Sequence, residues 1–349
     1  MINKKNPLSL QLDVSDFLPA EKEEKQSLVV MREGVSFWRD GMRRFRQNKV
    51  AMVSLVVIIL VCIFAFVGPA VYPYGYEQQI RGSENLAPME YSATELERMA
   101  AGEKVFPHIL GTDSLGRDLT ARLMMGSRIS LLVGLVAAIL VLLIGSIYGA
   151  IAGYFGGRVD TIMMRIVDII YTVPDLLIII LLMVTLKYPL QDLANNVPGF
   201  EWINNVGIGL ISIFIVFTLL YWVGMARIVR GQILSLKEQE YVTAARALGA
   251  SHRRIIRKHL LVNCMGPLIV TTTLQIPSAI FTESFLSFIG IGVQAPMPSL
   301  GSMASNALNG ITTYPYRLFE PAILISLIIL SFNLLGDGLR DAFDPKLKE

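Results

Sequence analysis

His108, Asp113, Arg117 and Asp118 bring an imidazole, two carboxylates and a guanidinium into one short stretch, with Gly111 and Gly116 between them. A histidine beside two aspartates can ligate a metal or pass a proton. The glycines suggest another use. They can make tight turns while Asp113, Arg117 and Asp118 fix a loop by hydrogen bonds and ion pairs. The set is weakly specific for a ligand, so the structural use is favoured and no metal is expected. A second set, Gln275, Thr282, Glu283 and Ser284, places an ionisable group among polar neighbours inside an apolar run. Charge in such a run is costly, which makes these residues candidates for a polar translocation path. The alternative is a hydrogen bond between helices. Asp168 and Asp175 also fall in apolar surroundings, and Asp168 stands one turn from Arg165, which predicts a structural pair. His252 and His259 are expected at a surface. Cys62 and Cys264 have no plausible partner nearby, so no disulfide is expected. The sequence has no Gly-x-x-x-x-Gly-Lys-Ser/Thr loop and no nucleophile elbow. The chain is therefore expected not to hydrolyse ATP itself and to be non-catalytic.

These residues must be held by membrane-crossing helices. Of the 349 residues 53% are hydrophobic, above the usual range of a soluble domain. Apolar runs predict six spans, at about 50–72, 129–154, 166–186, 208–225, 267–293 and 321–339. The fold class expected is an all-α integral membrane protein with six transmembrane helices. Residues 1–34 read as a flexible tail without a cleavable signal, and 343–349 as a second tail. The basic segments are Arg39–Lys49, Arg158 with Arg165, Arg227–Lys258, and Arg340–Lys348. With six spans all of them fall on one side, which is then cytoplasmic together with both termini.

Between the spans, residues 35–49 read as an interfacial helix with Phe37, Trp38, Met42 and Phe45 near one face. An outer loop is expected over 73–128, with a capping box at Ser92–Glu95 and a helix stop at Gly102. Gly145, Gly149 and Gly153, spaced by four, form a ridge that admits another backbone, more readily within the chain than between subunits. Pro174 predicts a kink in the third span.

The polar, basic insert from Glu240 to Asn263 lies between two spans, inside a loop taken as 226–264. Glu240 to Leu248 should form a short helix, with Gly249 as its left-handed stop. Ser251 can cap a second helix containing Ile255, Ile256 and Leu260. Ala244, Ala245 and Leu248 make a small apolar patch that a groove could receive. Arg246 and the cluster Arg253, Arg254, Arg257 and Lys258 can meet carboxylates or anionic lipid heads. A plain basic loop that binds membrane lipids accounts equally well for this composition. No nucleic-acid partner is expected.

The insert resembles the cytoplasmic coupling loop of ATP-binding-cassette (ABC) importer permeases, a Glu-Ala-Ala triplet followed by Gly. Ala244, Ala245 and Gly249 match it, while Thr243 replaces the acid and Val262 a later Pro. Three further segments resemble the C-type subunit of dipeptide/oligopeptide/nickel permeases. They are His108–Asp118, Phe285–Gln294 with Pro296, Pro298 and Gly301, and Asn333–Pro345; Leu300 stands where Trp is usual. The resemblance spans about residues 37–346. It implies a type I ABC importer permease fold with a cytoplasmic coupling helix, in a bacterial cytoplasmic membrane. It implies coupling contacts through Glu240, Thr243, Ala244, Ala245, Arg246, Leu248 and Gly249. The implied partners are a homologous B-type permease, two ATPase subunits that hold the ATP and Mg, and an extracytoplasmic peptide-binding protein. No cofactor is expected on this chain itself. The outer-loop residues His108, Asp113, Arg117 and Asp118 could touch the delivery protein. The implied substrates are short peptides, oligopeptides ahead of dipeptides.

Two rivals belong to other classes. An ion-gradient-driven secondary transporter would use Asp168 and Glu283 as midplane ionisable groups. A membrane hydrolase would use His108, Asp113 and Asp118.

Overall fold

A computed structural model of the chain describes residues 37–343. The expected tail at 1–34, residues 344–349 of the expected tail at 343–349, and residues 35 and 36 of the expected interfacial helix lie outside the described residues, whereas Phe343 ends α12. In chain order the helices are α1 (Phe37–Gln47), α2 (Lys49–Val71), α3 (Ala93–Ala100), α4 (Leu119–Phe155), α5 (Gly157–Thr172) and α6 (Asp175–Asn196). They continue as α7 (Trp202–Val206), α8 (Ile208–Leu236), α9 (Glu240–Ala247), α10 (His252–Phe288), α11 (Leu300–Ala307) and α12 (Tyr316–Phe343). Six of them, α2, α4, α6, α8, α10 and α12, are long and apolar enough to cross a membrane.

The local chemistry sets several boundaries. The Asn48 side chain accepts from the Ala51 amide and caps α2. Asp118 accepts from the Ala121 amide at 2.8 Å, so α4 starts at Leu119 rather than at residue 129. With 37 residues α4 is about 55 Å long, well beyond a hydrocarbon core of roughly 30 Å. The expected span at 166–186 is broken: α5 packs on α8 through Val167 against Trp222, Val223 and Ala226, the chain extends at Val173 before Pro174, and α6 alone forms the third crossing. The residue before a proline is driven out of the helical region, which explains the break. Gly290, at φ +84°, follows the end of α10, short of the expected residue 293. The second helix of the basic insert is not separate: it runs on from His252 into the fifth crossing.

Contacts at the helix ends fix their alternation. Gly68, late in α2, abuts Met124, early in α4. Gly126 of α4 lies against Ser299 and Leu300. Gly153, late in α4, meets Arg230 and Ile233 in α8. Gly41 of α1 packs on Phe343 at the end of α12. The end that carries α1, α9 and the α12 C-terminus is called the basic end; the end that carries residues 73–118 is called the loop end.

The Gly145, Gly149 and Gly153 ridge packs inside the chain. A Cβ on Gly145 would lie 2.6 Å from Met225 Cβ, and one on Gly149 would strike the Ala226 carbonyl. Helices α4 and α8 can approach this closely only because those side chains are missing. Ile213, Val216 and Phe217 of α8 fill the space between Ile179, Ala137 and Ala279. A second core at the basic end joins Val141, Tyr154, Met225, Ile233, Ile255 and Leu260. In α1, Phe45 is buried against Ala51, Ala342 and Phe343, whereas Trp38 and Met42 remain exposed. The interfacial face is therefore narrower than the sequence implied, because the end of α12 covers Phe45.

Candidate functional site

At the basic end, α9 is a short helix held by one face. Val242 is fully buried and inserts into the second core beside Ile255 and Leu260. Asn263 donates to the Tyr241 hydroxyl at 3.1 Å. The Arg246 guanidinium lies 6.0 Å from the Tyr154 ring centre, and Tyr154 OH meets His252 Nδ1 at 2.7 Å. Gly249 has φ +78°; its amide donates to the Arg246 carbonyl, and the Ala250 amide donates to the Ala245 carbonyl. This is the glycine-stopped Schellman turn, which closes the helix without a polar side chain. Glu240, Thr243, Ala244, Leu248 and Gly249 are exposed, and Ala245 is half-buried. Leu248 is 88% exposed, an apolar side chain standing free of the fold. Arg253, Arg254, Arg257 and Lys258 are exposed on the adjoining start of α10. The Ser251 side chain makes no capping bond, although its backbone holds the cap position.

Two ion pairs tie α5 to α8 beside this helix. Arg230 Nε and Nη2 reach the two Asp160 oxygens at 2.6 and 2.5 Å. The hydrogen bond from Arg230 holds the Asp160 carboxyl below its usual range, against a smaller opposing effect of burial. Arg227 Nη2 reaches Asp168 Oδ1 at 2.8 Å, and its guanidinium lies 4.1 Å from the Tyr171 ring centre. Asp168 thus pairs with Arg227 across the helix interface, not with Arg165, which is exposed. Stacking on Tyr171 positions the arginine from the neighbouring helix.

At the loop end, His108 is fully buried. Its Nδ1 lies 2.7 Å from Asp118 Oδ2 and its Nε2 lies 3.1 Å from Glu95 Oε1. Tyr72 OH donates to Asp118, and the Tyr74 ring stacks on the imidazole at 4.3 Å. Burial disfavours the charged ring, but the hydrogen bond and charge of Asp118, with those of Glu95, overcome it and push the His108 pKa up. Glu95 also closes the capping box of α3, its other oxygen accepting from the Ser92 amide at 2.8 Å. Asp113 takes Arg117 Nε at 2.7 Å and accepts from the Leu115 and Arg117 amides. Gly111 and Gly116, both at positive φ, press against the Leu86 and Ile80 carbonyls, where any side chain would collide. His108, Asp118 and Glu95 bond to one another, and Asp113 bonds to Arg117, so these contacts shape the loop end.

The third set lies on α10. Glu283 is fully buried. Ser130 of α4 donates to its Oε2 at 2.8 Å, Ser287 to its Oε1 at 2.8 Å, and Ser284 lies 3.3 Å away. A path-lining role places this carboxyl on an open polar face; the fold seals it between α4 and α10, where three hydroxyls satisfy it. Thr282 accepts from Tyr221 OH at 2.6 Å and is nearly buried, as is Ser284, while Gln275 is half-buried. The exposed positions on this stretch of α10 are Ser278 and Phe281.

Sequence reasoning missed the anchoring role of Val242, the contact of Glu95 with His108, and the ion pairs of Arg227 and Arg230 with α5. Only Val242 had a usable signal, as an apolar residue within the polar helix. The other three act through partners on separate elements.

Comparison with known proteins agrees with this architecture. Residues 145–349 match the family described as the binding-protein-dependent transport system inner membrane component. Residues 36–88 match the N-terminal TM domain of oligopeptide transport permease C. The oligopeptide transport system permease protein OppC of Bacillus subtilis is 44% identical over 333 residues, 95% of this chain and 97% of its own length. The dipeptide transport system permease protein DppC of the same organism is also 44% identical, covering 95% and 93%. OppC of Haemophilus influenzae is 39% identical, covering 99% and 97%. These matches run nearly end to end in both partners of each pair. An ion-gradient-driven transporter draws no support from them. With six apolar crossings and this similarity along the whole chain, the protein belongs to the binding-protein-dependent ABC importer permeases, as a multi-pass inner-membrane C-type subunit of the oligopeptide/dipeptide group.

Proposed function

We propose that the chain carries short peptides inward, oligopeptides ahead of dipeptides, as one half of a translocation path completed by a homologous B-type permease. Two ATPase subunits, holding ATP and Mg, dock at the basic end, which is the cytoplasmic end with both termini. An extracytoplasmic peptide-binding protein delivers substrate at the loop end. The chain itself is non-catalytic. The observation that carries the reading is α9: anchored inward by Val242, stopped at Gly249, and offering Thr243, Ala244 and the 88%-exposed Leu248 outward. Small side chains let a groove on a partner come close to the helix, as a socket takes a ball. ATP-driven closure of the ATPases pushes α9, and the rigid α4–α8 and α5–α8 contacts pass that motion to the crossings. The names of the relatives, oligopeptide and dipeptide permeases, support the substrate class.

The test is co-purification of the tagged chain from its native membrane. A second permease and two ATPases should accompany the wild type. The ATPases should be lost from Ala245→Glu and Gly249→Asp while the second permease stays. Unchanged ATPase recovery in both variants would remove α9 as the docking element.

A further inference from the structure

Arg39, Arg43, Arg44 and Arg46 of α1 and Lys49 at the start of α2 stand close together in the chain, with Asp40 as the acid among them. Asp40 is spent on Arg44, at 3.2 Å. Arg39, Arg43, Arg46 and Lys49 are exposed, and no carboxylate among the described residues pairs with them. Asp337 and Asp341, on the last turns of α12, are the acids of the element packed against α1; both are exposed and neither makes an ion pair with these four. The helix that carries the arginines is braced. Asn48 is extended, with φ −78° and ψ 99°, so the chain turns between α1 and α2. Phe45 is buried against Ala51, Ala342 and Phe343, and Gly41 leaves room for the Phe343 ring. Successive residues of a helix advance by about 100° around its axis. Going round α1 from the buried Gly41 and Phe45, Trp38 and Met42 come next, 50% and 46% exposed. Arg46, Arg39 and Arg43 follow, and Gln47, Asp40 and Arg44 complete the circle. Val50 and Val53, exposed on the first turns of α2, add to the uncovered apolar surface at this end. Charge topology asks only for basic residues near a crossing. It does not ask for three arginines aligned beside exposed apolar side chains on a helix fixed to the bundle. That alignment suits a helix at the level of lipid phosphates, with its apolar side among acyl chains and its guanidinium groups on the headgroups.

We propose that Arg39, Arg43 and Arg46 of α1 form a binding site for anionic phospholipid headgroups, with Trp38 and Met42 seated among the acyl chains. Because Gly41 and Phe45 hold α1 against Phe343 and Ala342, lipid bound there fixes the end of α12 to the membrane surface. The site is independent of the substrate and of the α9 docking face.

The test uses the complete transport complex in lipid nanodiscs and reads Trp38 fluorescence as the difference between the wild type and Trp38→Phe. All discs hold the same mixture of phosphatidylglycerol, which is anionic, and phosphatidylcholine, which is not. In one set the phosphatidylglycerol carries brominated acyl chains, which quench a tryptophan they touch. In the other an equal amount of phosphatidylcholine carries them. Each arginine near an anionic surface is worth roughly a fivefold gain in affinity, so brominated phosphatidylglycerol should quench Trp38 at least about threefold more strongly. Arg39→Gln, Arg43→Gln and Arg46→Gln combined should remove the difference, and the matching triple lysine variant should keep most of it. High salt should shrink it, because the arginines are exposed. Equal quenching by the two lipids in the wild type, or a difference that persists in the glutamine variant, overturns the proposal. If the glutamine variant fails to assemble, the wild type in low and high salt decides; a difference indifferent to salt overturns it. A preference for phosphatidylglycerol that appears only after residues 1–34 are deleted means that the chain's own segment, with Asp13, Asp16, Glu21, Glu23 and Glu24, takes the arginines, and the proposal falls. Should the glutamine variant keep the lipid preference and lose the ATPases on co-purification, α1 serves a protein partner and the proposal falls as well.

Discussion

Glu283 of α10 and Ser130 of α4 are 153 positions apart in the chain and meet through a 2.8 Å hydrogen bond. With Ser287 and Ser284 on the same carboxyl, this contact pins the fifth crossing to the second at a fully buried point. A carboxyl inside a membrane protein is most readily assigned to transport, yet here its acceptors are spent on helix packing.

Glu283→Ala should therefore lower the stability of the assembled protein by about 2–4 kcal/mol, through lost packing and stranded serine hydroxyls. Glu283→Gln keeps the shape and should cost about 1 kcal/mol. Thermal unfolding in detergent measures both. An alanine variant that melts with the wild type would show that the buried carboxyl does not hold the helices together.

Gly149→Val drives a branched side chain into the Ala226 carbonyl and towards Val229, whose Cβ lies 2.9 Å from where the new Cβ would sit. Overpacking should cost about 1–3 kcal/mol and reduce yield. Gly224→Ala is the control, because its Cβ would meet nothing within 4 Å; it should be neutral or stabilise by up to about 1 kcal/mol. Equal yields and melting points for the two variants would contradict a tight α4–α8 seam.

The loop end should loosen in alkali. The folded His108 pKa is raised above its ordinary 6.5 by Asp118 and Glu95 against the effect of burial. Stability from the protonated ring is thus fully present below 6.5 and is lost as pH rises through the folded value. The neighbouring Tyr74 is pushed up to about 12, by burial first, and Tyr72 is also raised, so neither phenol releases a proton near neutrality. Hydrogen exchange over residues 108–118, corrected for intrinsic rate, should show protection falling from about pH 6 to about pH 9. In His108→Gln protection should be lower at the acid end and flatter with pH; a wild-type profile as flat as the variant's would refute the linkage.

Within α9, anchor and contact face are separable. Val242→Asp buries an unpaired charge in the second core and should cost about 3–5 kcal/mol, freeing the helix from its base. Thr243→Glu lies on the exposed face and supplies the acid that Glu-Ala-Ala coupling loops carry; it should leave the fold unchanged and retain the ATPases on co-purification. Loss of the ATPases in Thr243→Glu, with α9 intact by limited proteolysis, would mean that this face does not tolerate the acid.

Much of the scaffold was legible because it depends on neighbours in sequence. Apolar length marked the crossings, Pro174 marked a kink where the structure has a full break between α5 and α6, Ser92 and Glu95 marked the start of α3, and Gly249 marked the end of α9. Each of these rests on backbone geometry or on a bond spanning only a few residues. The limits of α4 and α10 were less legible. Their helices continue through polar residues beyond the apolar run, where hydropathy falls but hydrogen bonding does not stop.

The sequence alone determined that there are six crossings, that a basic helical insert sits at one end of them, and that Gly145, Gly149 and Gly153 share one face. Tertiary structure alone decided which charge meets which. It paired Asp168 with Arg227 instead of Arg165, gave Glu95 to His108, and sealed Glu283 among serines. The physical reason is distance along the chain. Electrostatic and hydrogen-bond partners are chosen by what packing brings within about 3 Å, and no periodicity encodes that choice across separate helices.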